Sequence, residues 1–310
     1  MNNLDFHKPV LLAEVLESLS PKEGEVYLDA TFGAGGYSKA ILESAKCKLY
    51  AIDRDESAKK FAIKLEENFP KNFTFLRGKF SDSIELLSAK NVTELDGMVF
   101  DIGVSSMQFD DKSRGFSFDS DAKLDMRMDQ QMPLSAFEVV NQSSEEELAK
   151  IIKEFGEEPK AKRIAQKIIA ARKSAPIISC SDLAKIVRSL YPGYFKTDPA
   201  TKTFQALRIF VNQELEELKS ALASSVTLLK KGGRLVVVSF HSLEDQIVKS
   251  FLKKEAGLDQ VFSRYQPESS KAESVKNFHV LTRSAISPTK EEVAANPRSR
   301  SSKMRVAIKL

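Results

Sequence analysis

Three carboxylates stand where short apolar runs end: Asp29, Asp53 and Asp101. The first opens into a glycine-rich turn, DATFGAGGYS, and the second closes the run LYAID one helix-length later. Gly33, Gly35 and Gly36 leave backbone N–H groups free to face a ligand at a helix N-terminus. Asp53, at the next strand end, is placed to accept hydrogen bonds from a ribose diol. The spacing is not Gly-x-Gly-x-x-Gly, so a dinucleotide is not the first choice; a small adenosine ligand such as S-adenosylmethionine fits better. The alternative is a tight strand-to-helix turn that holds nothing.

Asp101 ends its run in MVFDIGVSS. A carboxylate at the carboxyl end of a central strand faces the ligand, accepts a proton from a substrate amino group, or caps a turn. Phe80, in RGKF, either packs on an adenine ring or belongs to the core. His241, in SFHSLED, follows the last central run and orients substrate or shuttles a proton, with a helix start at Ser239 or Ser242 as the competing reading of the segment. No Gly-x-Ser-x-Gly elbow accompanies it, which argues against a serine hydrolase. The segment Gln108–Asp129 mixes six aspartates with Phe109, Phe116, Phe118, Met126 and Met128. Linkers lack such aromatic content, so this reads as a folded functional loop. Its spacing is not that of an EF-hand, and no metal site is expected. Lys160, Lys162, Arg163, Lys167, Arg172 and Lys173 follow one helical pattern suited to phosphates, as does the acid-free tail Arg298, Arg300, Lys303, Arg305 and Lys309. A solvated face is the competing reading for both. His7 and His279 lie in no legible motif, and His7 is expected near the surface.

The elements that must position these groups alternate. Strand-like runs at Glu25–Ala30, Lys48–Asp53, Asn72–Arg77, Asp96–Asp101 and Gly233–Phe240 are separated by helical patterns at Tyr37–Ser44, Glu56–Asn68 and Ser81–Ser88, with Val10–Leu19 in front. That is an α/β rhythm with a mostly parallel, doubly wound sheet. Asn277–Arg283 and Ser302–Leu310 lack a full helix between them and suit an antiparallel pair at one sheet edge. Between about 105 and 205 the rhythm breaks into Leu134–Asn141, Glu145–Phe155, Ala161–Lys173 and Asp182–Leu190, with no strand. Ser143 and Ser144 before three glutamates, and Ser181 with Asp182, mark two helix starts. Thr203–Lys230 reads as one long helix and Pro288–Ser302 as a polar loop. The resulting domains are 1–132 with 203–310, and a helical insertion over 133–202.

Composition narrows the class. The chain has 310 residues, 42% hydrophobic and 29% charged, which suits a globular protein of one large or two modest domains. No apolar run is long enough to span a bilayer, the N-terminus lacks a signal pattern, and the two cysteines lie far apart. A reducing, cytoplasmic setting with no membrane partner is therefore expected. The net charge of +4 is unevenly spread: residues 1–149 carry −10, residues 150–205 carry +7 and the remainder +7. An acidic half joined to basic segments suits a polyanionic partner met by part of the surface.

The runs DATFGAGGYS, AIDRD, DIGVSSMQFDD, RGFSF, LDMRMD, GEEPKAKRIA, TFQALRIFVNQELEEL, GGRLVVVSFHSLED and NPRSRSSKMR together resemble the RsmH (MraW) family over nearly the whole chain. The resemblance implies a class I (Rossmann-like) methyltransferase sheet, mostly parallel with an antiparallel edge strand, plus an all-helical inserted domain that helps recognise RNA. It implies S-adenosylmethionine as cofactor and N4-methylation of a decoding-site cytidine in 16S ribosomal RNA, with the 30S subunit as partner. A homodimer is compatible with the sequence. By the family pattern Gly35, Gly36, Tyr37, Asp53, Phe80, Asp101 and Gln108 contact the cofactor, with Gly33 added from the glycine turn itself. The family usually carries His at the position of Tyr37, so the backbone contacts carry over there.

The chemistry constrains the catalytic groups. The N4 lone pair of cytosine is delocalised into the ring, so N4 must be held in line with the sulfonium methyl at roughly 3–3.5 Å. An acceptor for an N4–H localises the lone pair and takes the proton. Many amino methyltransferases place Asp/Asn-Pro-Pro-aromatic at the end of the fourth strand; here that site reads Asp101-Ile102-Gly103-Val104. Asp101, the Asp125–Asp129 loop and His241 are the candidates, with Phe116 or Phe118 to receive the base. A DNA or protein methyltransferase on the same core, and a non-catalytic nucleotide-binding regulator, are the rival readings.

Overall fold

A computed structural model describes residues 9–258 and 276–310; His7 lies outside the described residues. Strands β1 (Val26–Asp29), β2 (Lys48–Asp53), β3 (Phe73–Arg77), β4 (Leu95–Asp101), β5 (Leu229–Ser239), β6 (Phe278–Val280) and β7 (Lys303–Lys309) form one sheet, ordered β3-β2-β1-β4-β5-β7-β6. Strands β3 to β5 run parallel. β7 is antiparallel to both β5 and β6. The sequence runs are continuous and apolar because both faces are covered: Met98, Val99 and Phe100 of β4 are fully buried. Leu28, Ile52, Met98, Phe100, Leu235 and Val237 share one core with Leu218, Leu222, Val248 and Leu252 of flanking helices. The chain winds outward from β1 through β2 to β3, then returns to the other side of β1 as β4. That reversal opens a crevice at the carboxyl ends of β1 and β4, where α/β sheets bind ligands.

The chain divides into two compact units, one formed by Met1–Gly103 with Leu215–Leu310, the other by Val104–Glu214. The second unit is helical and wider than the bounds 133–202 drawn from composition. Phe116, Leu124, Met126 and Met128 from the aspartate-rich segment share its core with Phe204, Leu207 and Val211. That segment is not a simple loop: it starts with the short helix Ser106–Asp110. Helix Glu145–Gly156 begins where the serines indicated, with Ser144 and Glu147 in a reciprocal capping box and three glutamates at the positive helix end. Ser179, not Ser181, caps helix Cys180–Arg188.

Two further expectations are corrected. Thr203–Lys230 is not one helix: Thr201–Asn212 ends at Gln213, whose left-handed backbone (φ 54°) stops it, and Glu214–Leu228 starts afresh. Pro288–Ser302 is not a loop: Thr289 caps the helix Lys290–Ala295, and a 3₁₀ turn spans Pro297–Ser301. Among the described residues no helix is long and apolar enough to cross a membrane.

Candidate functional site

The sheet unit gathers its acids at one edge. β1 ends at Asp29, β2 at Asp53 and β4 at Asp101. Gly33 (φ 54°) and Gly35 (φ 80°) turn the chain from β1 into helix Gly36–Ser44. A Cβ on Gly35 would sit 2.8 Å from the Phe32 ring, so both its conformation and its space demand glycine. No side chain caps this helix, which leaves its first turn open to an anionic group. Asp53 fixes the turn: Gly33 N–H donates to Oδ2 at 2.7 Å and Asp55 N–H to Oδ1 at 2.8 Å. Each oxygen retains a second lone pair for a diol. Burial pushes the Asp53 carboxyl up to about 6, against the pull of those two N–H groups.

Asp29 is a brace that composition did not single out for a role. Its carboxylate accepts from Ser38 Oγ at 2.7 Å and Thr31 N–H at 3.2 Å, tying the strand end to the helix. Burial pushes it up to about 6 as well. Thr31, also missed from sequence, accepts the Asp101 N–H through Oγ1 at 2.6 Å. The Asp101 side chain differs from the other two. Its Oδ1 is buried with no hydrogen-bond partner among the described residues. Burial, then the charges of Asp29 and Glu244, push this carboxyl up to about 8. A buried acceptor left open at the sheet's switch point suits a donor brought by a ligand or substrate.

Tyr37 turns its ring away from that role. It is buried, and its hydroxyl donates to the Val10 carbonyl. Burial, then the nearby carboxylates, hold the phenol well above its ordinary value, so it remains a donor. Tyr37→Phe is expected to lower stability by about 1 kcal/mol in urea unfolding. Affinity for S-adenosylmethionine should change less than about threefold, since only backbone at this position faces the turn. Phe80 is half-buried and sits edge-on to Phe100 with centroids 6.2 Å apart, which leaves ring surface for an adenine.

His241 is the cap of helix Ser242–Glu255. Its Nδ1 accepts the Glu244 N–H at 3.4 Å, and its Nε2 lies 2.9 Å from Glu244 Oε1, although neither of those two buried atoms completes a hydrogen bond among the described residues. Glu244 is fully buried, and its Oε2 accepts from Phe240 N–H at 2.8 Å and His241 N–H at 3.2 Å. Both ring nitrogens thus face Glu244, which assigns His241 a positioning part. Glu244 was missed from sequence although its place three residues after the cap is the capping-box spacing.

In the helical unit the candidates have structural partners. Gln108 is buried and caps its own helix, accepting the Ser105 N–H at 3.1 Å. Phe116 is 5% exposed and lies in the core, so as a base-stacking ring it is corrected to a core residue. Phe118 is partly buried and packs against the same core, edge-on to Phe204 at 5.9 Å and with the Arg188 guanidinium over its ring at 5.6 Å. Asp125 grips Arg127 bidentately, Oδ1 to Nε at 2.8 Å and Oδ2 to Nη2 at 2.7 Å. Burial raises this carboxyl, but the Arg127 hydrogen bonds and charge outweigh it and hold it below the ordinary value, which makes it a weak base. Asn212 knits the same loop: it accepts the Met128 N–H and donates to the Met126 carbonyl, both at 2.7 Å. Lys162, Arg163 and Lys167 are exposed along helix Ala161–Arg172. Lys160 is committed, donating to the Leu190 carbonyl at 2.8 Å above the Tyr191 ring. Arg172 is committed too, to the carbonyls of Val140 and Ser143.

The chain matches the model of the MraW methylase family over residues 5–310. Three relatives carry the name ribosomal RNA small subunit methyltransferase H. The one from Neorickettsia sennetsu is 49% identical over 306 residues, 98% of this chain and 96% of its own length. That from Rickettsia massiliae is 50% identical over 306 residues, 98% of each chain. The third, from Paramagnetospirillum magneticum, is 48% identical over 304 residues, 98% of this chain and 95% of its own.

Proposed function

Since the chain belongs to the MraW methylase family, we propose that it is an S-adenosylmethionine-dependent methyltransferase that acts on N4 of a cytidine in 16S ribosomal RNA of the small subunit. One observation carries this reading: the buried, unpartnered Oδ1 of Asp101 beside an uncapped glycine-turn helix and the ribose-type acceptor Asp53. The residues fit the cofactor. Gly35, Gly36 and the Tyr37 backbone would face its carboxylate, Asp53 its ribose diol, and Phe80 its adenine. When bound, S-adenosylmethionine supplies an electrophilic methyl group on a positively charged sulfur.

Asp101 supplies the rest of the chemistry. Its open lone pair accepts an N4–H of the cytosine, which draws electron density to N4 and orients it. The proton lost from N4 then has an acceptor whose affinity for protons lies close to neutral pH. His241, held by Glu244, lines the same sheet edge and helps fix substrate there. Asp125 and Arg127 hold the loop shape, and Lys162, Arg163 and Lys167 offer charge for RNA phosphates. The test is transfer of labelled methyl from S-adenosylmethionine to 30S particles, free 16S RNA and naked DNA, followed by nucleoside analysis. Label in N4-methylcytidine from RNA is expected; label only in DNA, or in another nucleoside, overturns the reading.

A further inference from the structure

We propose that the 3₁₀ turn Pro297–Ser301 is an RNA-phosphate site at the rim of the methyl-transfer crevice, with Arg300 as its main contact and Arg298 beside it; this rests on the RNA reading above. The register of the sheet carries the argument. Asp101 at the end of β4 is level with Val238 of β5, and Val238 with Met304 of β7. Because β7 runs antiparallel, its first residue, Lys303, lies opposite Ser239. The chain entering β7 therefore arrives at the end of the sheet that holds Asp101 and His241. Two strand spacings separate the Asp101 and Met304 positions, about 10 Å. A nucleotide held at Asp101 thus has its neighbouring phosphates within reach of this turn.

The turn itself is a rigid mount. Ser299 is fully buried, its Oγ donating to the Asn296 carbonyl at 2.8 Å, and Ser302 N–H donates to the Ser299 carbonyl at 2.8 Å. Ser302 is buried as well. Arg298 and Arg300 flank Ser299 and are exposed. Nearby, Asp245 holds Arg305 at 2.7 Å and Lys303 at 3.2 Å. The crevice behind gathers the acidic side chains Asp29, Asp53, Asp101 and Glu244, which do not attract a polyanion. Two exposed guanidinium groups at its rim supply that attraction, and their fork geometry matches phosphate oxygens.

The test measures equilibrium binding of the free 16S RNA across a potassium chloride series for wild type, Arg300→Gln, Arg300→Lys and Arg298→Gln/Arg300→Gln. Losing one phosphate contact is expected to make the slope of log affinity against log salt shallower by about 0.7, and losing two by about 1.4. Affinity should fall about tenfold in the double variant, while Arg300→Lys should keep the wild-type salt slope and lose only part of the affinity. KM for S-adenosylmethionine and the unfolding midpoint should match wild type. An unchanged salt slope in the double variant overturns the site, and so does a raised KM for S-adenosylmethionine, which would make the turn structural. Wild-type protein that binds RNA but methylates none overturns the functional reading instead, and leaves the slope comparison to decide the turn.

Discussion

Asp101→Asn is expected to cut kcat at least about 100-fold, in line with the loss of a positioned proton acceptor, while making the protein more stable at pH 8. Both effects come from one carboxyl. Burial and the neighbouring acids raise it from its ordinary 3.8 to about 8 in the folded protein. The folded state therefore keeps a proton that the unfolded chain releases above about pH 4. Stability from this group is complete below that point and is lost as pH climbs to about 8, where the anion is buried at full cost. Each tenfold change in proton affinity is worth about 1.4 kcal/mol, so the loss is capped on the order of 6 kcal/mol and relaxation reduces it further. Asparagine has no charge to bury, so the variant lacks this pH dependence. Thermal unfolding of the two proteins should nearly coincide at pH 4.5 and separate by several degrees at pH 8, the variant melting higher. Curves that keep one spacing at both pH values would sink the assignment.

The three pocket acids were legible from sequence for a simple reason. A central strand is apolar on both faces, so its last residue is the first that can be charged, and β1, β2 and β4 each stop on an aspartate. The antiparallel edge was legible as two late apolar runs, although the short helix Lys290–Ala295 stands between them. What failed was any feature decided by a single backbone conformation or a distant partner. Gln213 breaks the long amphipathic pattern by adopting φ 54°, which its side chain type does not advertise. Phe116 and Phe118 read as a reactive loop because aspartates surround them, yet their rings complete a core whose other half comes from residues near 200. Asp125 looked like a free acid because its partner, Arg127, is only two residues away and could have pointed elsewhere. Glu244 carried a signal that was not used: a helix start with glutamate three residues on, with histidine in the place serine or threonine usually takes.

Gly115→Ala should be the most destructive small substitution in the helical unit. Gly115 has φ 75°, and an added Cβ would meet the Lys123 carbonyl oxygen at 2.5 Å and the Asp125 nitrogen at 2.8 Å. Both are backbone atoms, so neither can swing aside as a side chain would. The shift must pass into the 123–128 segment, where Asp125 grips Arg127 and Asn212 holds Met126 and Met128. Strain at φ alone costs about 1–2 kcal/mol, and the collision should bring the total to roughly 4 kcal/mol. Gly193→Ala separates the two causes, since Gly193 has φ 102° but nothing within 4 Å of its Cβ position. It should show the smaller cost only. The chain carries its own reporters, one buried thiol in each unit: Cys47 in the sheet unit and Cys180 in the helical one. Cys180 Sγ donates to the Gly115 carbonyl at 3.3 Å and lies 3.5 Å from the added Cβ. Burial pushes its thiol up to about 12 and that of Cys47 to about 11, so both are inert in the native fold. Labelling by a disulfide reagent should accelerate at Cys180 by at least about tenfold in Gly115→Ala, because local opening follows local stability. Cys47 should keep its wild-type rate, and Gly193→Ala should label slowly at both. Equal acceleration at the two thiols would mean that the damage is global and that the Gly115 contact is not a local keystone of the loop.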